Sequence, residues 1–174
     1  MEAEEGRANI LLGGEQHHVD RIRPIVACFT ENVWHVGPLG AAHAFKLLNN
    51  SLVIANIATV LEAAVAAERF GIDHALVLEI CNQGGAGSAA MKMVLPYAVS
   101  GDASGFQAQT STALKDLRYY HQLADDAGLT SLMSKSAQQL FQLATNLGCT
   151  DALVPELYDA LSALDGTGNS GRPK

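Results

Sequence analysis

The chain has 174 residues, 48% of them hydrophobic and 17% charged, with a net charge of −7 and a pI near 5.2. That length buries a proper core, in one domain or a domain with an attached piece. The acidic balance, with no basic patch, excludes a nucleic-acid binder, and three widely spaced cysteines, Cys28, Cys81 and Cys149, read as reduced thiols rather than a disulfide frame.

Asn9–Leu12 is a short apolar run closed by Gly13-Gly14, and predicts a strand. Glu15–Phe29 carries Val19, Ile22, Ile25 and Val26 at helical spacing, with Pro24 expected to kink or split the helix. Asn32–Val36 alternates and predicts a second strand. A strand–helix–strand unit of this kind belongs at the edge of a larger sheet, so an exposed edge is expected. Ala41–Phe70 predicts a helix of about 30 residues, about 45 Å long at 1.5 Å per residue. It is apolar nearly all round, which implies burial on more than one side, and Gly71 ends it. Lys46, Asn49, Asn50, Asn56, Glu62, Glu68 and Arg69 interrupt it. Its charge-free run falls short of the ~20 residues that a membrane span needs, so no membrane partner is expected. The acidic, polar start has no signal-peptide pattern, and a cytoplasmic location is expected.

Further along, Asp73 caps a helix running to about Cys81. Gly84-Gly85-Ala86-Gly87 and Ser88 form a loop, Ala89–Leu95 a helix stopped near Pro96, and Ser100–Gly105 a turn-rich linker. Thr110–Ala127 is amphipathic, with Leu114, Leu117, His121 and Ala124 on one stripe. Thr130–Leu147 follows, with Leu132, Leu140, Leu143 and Leu147 as its apolar positions. Thr150 or Asp151 caps the next turn, and Pro155–Leu164 is a final short helix. The fold class is mainly α: five or six helices, a bundle built on one long apolar helix, behind a small strand–helix–strand unit.

The chemistry concentrates where Gly37-Pro38-Leu39-Gly40 feeds the long helix. Lys46 lies in the second turn, with Asn49 and Asn50 three and four residues later on the same face. Two readings fit this geometry: a snorkelling lysine beside two helix-facing amides, or a lysine set up for general acid/base work. His43, one turn earlier, either perturbs the lysine or lines an entrance. The six histidines show no metal-ligand spacing, adjacent His17 and His18 being expected to point apart on a helix, so no metal is expected. Nucleophilic catalysis has no support, since no G-x-S-x-G turn is present.

The run Gly37–Asn50, with the apolar helix it opens, closely resembles the segment that carries the catalytic lysine in the β-hydroxyacid dehydrogenase family. That family includes 3-hydroxyisobutyrate dehydrogenase and the tartronate-semialdehyde, glyoxylate and succinic-semialdehyde reductases. Its pattern, roughly G-x-x-G-x-G-x-x-x-K-x-x-x-N, is met by Gly37, Gly40, Lys46 and Asn50, with Ala42 in place of the third glycine. Downstream, Phe106 and then Leu114-Lys115-Asp116-Leu117 resemble the family's K-D-L segment. The resemblance runs from about Ala8 to Leu164. It implies Lys46 as general acid/base, Asn50 orienting Lys46 or holding the substrate carboxylate, and Lys115 on the cofactor side. Asp116 either contacts substrate or only favours its helix N-terminus, and Phe106 is either a wall of the substrate site or plain core. The cofactor implied is NAD or NADP, the substrate a small hydroxy acid or semialdehyde, and the assembly a homodimer or higher homo-oligomer.

The same resemblance implies a domain organisation. Residues 1–38 are expected to be the β-α-β remnant of a dinucleotide-binding domain, 39–165 an all-helical dimerisation and substrate domain, and 166–174 a disordered tail. No G-x-G-x-x-G follows a strand, because the glycines at 84–87 follow a helix, and the family's D-x-P-V-S-G-G-like segment is absent. Lys46 argues against imine reductases, and Leu47-Leu48-Asn49-Asn50 does not match the histidine-asparagine-glycine of 6-phosphogluconate dehydrogenases. The expectation is the C-terminal half of a dehydrogenase, with a non-catalytic helical dimerisation module as the alternative. In either case this polypeptide alone is expected neither to bind NAD(P)H nor to turn over.

Overall fold

The computed structural model describes residues 8–166 and has two compact units: the residues up to Asn49, and those from Asn50 on. The tail beyond Gly166 lies outside the described residues.

The first unit holds β1 (Asn9–Gly13), α1 (Gln16–Val26), β2 (Asn32–Gly37) and the opening turns of α2 (Ala41–Arg69). The strands pair in parallel through the α1 crossover, Leu11 opposite Trp34. With two strands among the described residues, the sheet keeps the open edge expected of it. The Thr30 hydroxyl is buried, donates to the Ala8 carbonyl and accepts from the Asn32 N–H at 3.2 Å, which fixes the start of β2 beside β1. Arg23 donates to the Val33 carbonyl at 3.1 Å and ties α1 to β2. Pro24 does not split α1. The carbonyl it leaves without a helical donor belongs to exposed Asp20, where water serves.

The second unit continues α2 and adds α3 (His74–Gln83), α4 (Ala89–Ser100), α5 (Thr110–Asp126), α6 (Leu132–Asn146), a 3-10 turn (Val154–Glu156) and α7 (Leu157–Leu164). Its core gathers Ile57, Leu61, Leu95, Leu117, Phe141 and Leu157, all essentially inaccessible to water. By length and composition α2 would cross a membrane, but half of its apolar stretch is buried inside the protein. Burial is one-sided: Leu48, Leu52, Ala63, Ala66 and Phe70 are exposed, where the all-round apolar pattern suggested cover.

Local chemistry explains the breaks. Asp73 and Ser88 cap α3 and α4, accepting the N–H groups of Leu76 and Met91. The α4 helix does not stop at Pro96 but runs one more turn to Ser100, since the lost donor leaves only the carbonyl of exposed Lys92 unserved. Gly101, at φ 78°, closes it. The loop then crosses α4 so closely that a Cβ on Gly105 would lie 2.5 Å from the Met93 carbonyl oxygen. On α5 the predicted stripe of Leu114, Leu117, His121 and Ala124 is buried. On α6 only Leu140 of the four expected leucines packs against the core: the buried face is Ser134, Ala137, Phe141 and Ala144, while Leu132 is 71% exposed and Leu143 and Leu147 are also exposed. Small residues facing α5 let the helices approach, and buried His121 uses the space, bonding Gln138 and, at 2.9 Å, the Ser134 hydroxyl.

Candidate functional site

The chain enters α2 through a turn that only glycine accommodates. Gly37 and Gly40 have φ of 137° and 92°, and a Cβ on Gly13 would stand 2.9 Å from the Pro38 carbonyl oxygen and 3.0 Å from the Ala42 nitrogen. His35, which sequence reasoning passed over, pins this turn. Its Nε2–H points at the carbonyls of Gly14 (2.8 Å) and Gly37 (3.0 Å), while Nδ1 lies 3.1 Å from Gln16 Oε1. The available signal was a histidine two residues before the glycine turn, on a strand.

Lys46 emerges from the second turn of α2 onto a cleft of about 700 Å³ that lies wholly in the first unit. Leu11 and Trp34, paired across the sheet, line it with Val36, Phe45 and Asn49. The apolar sequence around Lys46 suggested burial, but the side chain is exposed. No acidic residue lines the cleft, and among the described residues Lys46 has neither a hydrogen bond nor an ion pair. The cleft therefore offers a free ammonium, a neutral amide and apolar walls, which suits an anionic or carbonyl-bearing ligand. His43 is exposed and does not line it.

The other predicted residues gather in the second unit. Asn50 Nδ2 donates to Asp116 Oδ2 at 2.7 Å, joining α2 to α5. Asp116 also holds the Lys115 ammonium, 3.2 Å from its other oxygen, and is only 18% exposed against 55% for Lys115. Asp116 thus anchors two neighbours rather than merely biasing a helix end, and Lys115 keeps much of its ammonium in water. Phe106 is half-buried and packs on the core. The glycine loop at 84–87 is a packing device, because a Cβ on Gly87 would meet the Cys81 carbonyl oxygen at 2.8 Å.

The histidines need one correction. His17 and His18 do not diverge: their ring centroids are 3.8 Å apart, and with Glu15 they bring three ligand-type atoms within 4.8 Å of one another on the surface. Helical divergence fails there because both lie in the first turn of α1, where exposed side chains bend freely.

The chain is of the mainly helical class, with a small two-stranded parallel sheet and a glycine turn before its long helix. The family described as the NAD-binding domain of NADP-dependent 3-hydroxyisobutyrate dehydrogenase matches residues 40–161, and the chain belongs to that family. An oxidoreductase of Synechocystis sp. is 31% identical over 147 residues, covering 84% of this chain and 49% of its own. The 2-(hydroxymethyl)glutarate dehydrogenase of Eubacterium barkeri is 28% identical over 148 residues, covering 84% of this chain and 48% of its own. In fold, the chain is similar to the crystal structure of 3-hydroxyisobutyrate dehydrogenase from Salmonella typhimurium, with a TM-score of 0.78, 20% identity, and coverage of 90% of this chain and 56% of that one. The chain spans about half the length of the curated relatives it matches.

Proposed function

We propose that this chain supplies the lysine-bearing half of an NAD(P)-dependent dehydrogenase acting on a small hydroxy acid or semialdehyde. The observation that carries the reading is the free Lys46 ammonium in an acid-free cleft, placed there by the strand, glycine turn and helix of this family. The printed activity of the Eubacterium barkeri relative supports the substrate class.

The nicotinamide supplies or accepts the hydride. As the neutral amine, Lys46 takes the hydroxyl proton during oxidation; as the ammonium, it gives a proton to the carbonyl oxygen during reduction. Asn50 gives one amide N–H to Asp116, which leaves its second N–H and its carbonyl oxygen for holding the substrate carboxylate or orienting Lys46. Asp116 is then a positioning residue. The cofactor-side cation is Lys115, exposed beyond its pairing with Asp116, and it fits a phosphate or a ribose edge. Neither strand-to-helix loop, Gly13-Gly14 or Gly37-Pro38-Leu39-Gly40, carries a G-x-G-x-x-G pattern, and the 84–87 loop joins two helices. Lys115 is therefore one contact among several, the others coming from the remainder of a relative-length enzyme. The working assembly proposed is a homodimer or higher homo-oligomer, in the cytoplasm.

In the complete enzyme, Lys46→Met lowers kcat by roughly 10²–10⁴-fold while leaving the Tm and the KM for nicotinamide cofactor in place. Unchanged turnover overturns the role of Lys46. The 174-residue chain alone shows no NAD(P)H fluorescence enhancement and no turnover, and measurable turnover with any hydroxy acid overturns the half-enzyme reading.

A further inference from the structure

His35 stands half-buried on β2, and its ring joins three segments of the first unit. Nε2 serves two carbonyls at once: Gly14, in the loop leaving β1, and Gly37, in the turn leaving β2. The Gly14 N–H donates to that same Gly37 carbonyl at 2.9 Å, so a backbone bond and the imidazole hold the two loops together. Nδ1 faces Gln16 Oε1, in the first turn of α1. Which end of that amide meets the ring is set from the far side, because Gln16 Nε2 donates to Asp20 Oδ1 at 2.7 Å, one turn further along α1.

The turn so held is the start of α2. Its Pro38 carbonyl accepts the Ala41 N–H and its Gly40 carbonyl the Ala44 N–H, both at 3.0 Å. Gly37 and Gly40 carry no Cβ to restrict the backbone, so the shape of the turn is fixed from outside it, by what its carbonyls meet. From Gly40 to Lys46 the chain is helix, about 9 Å of it at 1.5 Å per residue, and a helix passes a shift at its start on to its second turn. His35 lines the same cleft as Lys46. We propose that His35 is the positioning residue for Lys46. By clamping the Gly14 and Gly37 carbonyls it sets where the first turns of α2 begin, and Gln16, steadied by Asp20, orients its ring for that task. A misplacement of about 1 Å at a group that moves a proton costs on the order of 10²-fold in rate.

The role of His35 rests on the reading of Lys46 above, and the two fail separately. In the complete enzyme, His35→Ala lowers kcat roughly tenfold or more and leaves the KM for the hydroxy acid within about twofold. It also raises the solvent deuterium isotope effect on kcat, because proton transfer through a displaced lysine becomes the slow step. A loss of folded protein lowers the active fraction and leaves that isotope effect where it was. His35→Gln keeps an N–H donor for the two carbonyls and returns kcat to within about threefold of the parent. Gln16→Met, on the surface and outside the cleft, keeps the fold and lowers kcat about threefold with the same rise in isotope effect, so it carries the test where His35→Ala does not fold. The clamp itself is measured on the 174-residue chain, where His35→Gln protects the Gly14 and Ala44 amides from hydrogen exchange and His35→Ala exposes them at least about tenfold. Parental kcat in His35→Ala and Gln16→Met, a lowered kcat with an unmoved isotope effect, or a His35→Gln enzyme no better than the alanine variant overturns the positioning role while Lys46→Met still removes turnover. Full turnover in Lys46→Met overturns both.

Discussion

Asn50 and Asp116 are 66 residues apart in sequence and 2.7 Å apart in space. Because the acceptor is a charged and largely buried carboxylate, Asn50→Ala is expected to lower stability by about 1–3 kcal/mol, with Asn50→Asp worse through like-charge repulsion. Urea unfolding measures this, and a change under about 0.5 kcal/mol would mean that the bond is replaced by water. Asp102 makes a smaller and different prediction. The hydroxyl and backbone N–H of Ser104 hold its carboxyl below the usual carboxylate range. A depressed folded value means that this turn is stabilised at neutral pH and loses the contribution as pH falls through the folded value. An NMR titration of Asp102 should show its midpoint below 3.8, and Ser104→Gly should move it back up. Lys46 was legible from its spacing after a glycine turn, because helical periodicity is local. Its openness was not legible, because that depends on what else packs against the first turns of α2.

The helices divide into those whose faces were legible and those whose faces were not. The stripe on α5 was read correctly because polar residues alternate with it. On α6 the leucines misled: Leu132, Leu143 and Leu147 are exposed, whereas Ala137, Phe141 and Ala144 face the core. Apolar residues lie on both sides of that helix, so periodicity admits two faces and close packing against α5 selects the one lined by small residues. Phe141→Ala should therefore cost about 3–5 kcal/mol, while Leu132→Ala stays within about 0.5 kcal/mol. Equal losses in thermal denaturation would reverse the assignment of the buried face. Pro96 shows the limit of a local rule, since it lies inside α4 where the carbonyl it leaves without a donor, that of Lys92, is on an exposed residue. Gly105 is the converse, a loop glycine demanded by a neighbour twelve residues earlier; Gly105→Ala forces the crossing apart and should destabilise by about 1–3 kcal/mol.

Across the whole molecule the two units differ in the means of their stability. The helical unit encloses a large apolar core, whereas the strand–helix–strand unit buries Val19 and Thr30 and leaves Ile25, Phe29 and Trp34 in water. Two parallel strands with so little cover are marginal alone. Hydrogen exchange should therefore show β1 and β2 opening at least tenfold more readily than α5 and residues 54–65 of α2. Equal protection would mean that the sheet is stable on its own. Joining the chain to the remainder of a relative-length enzyme should raise protection in this sheet, since each strand has an unpaired outer edge among the described residues.

Much of this protein was specified locally. Capping residues, glycines at positive φ, the helical pattern of the 29-residue α2 and the spacing from Gly37 to Asn50 act over one or two turns, and the chain alone encodes them. The tertiary structure decided which face of α6 is inside, that Asp116 holds Asn50, and that His35 pins the glycine turn. Those outcomes depend on contacts between residues distant in sequence. Burial and pairing belong to the neighbours that folding brings together, and periodicity along one helix carries no information about them.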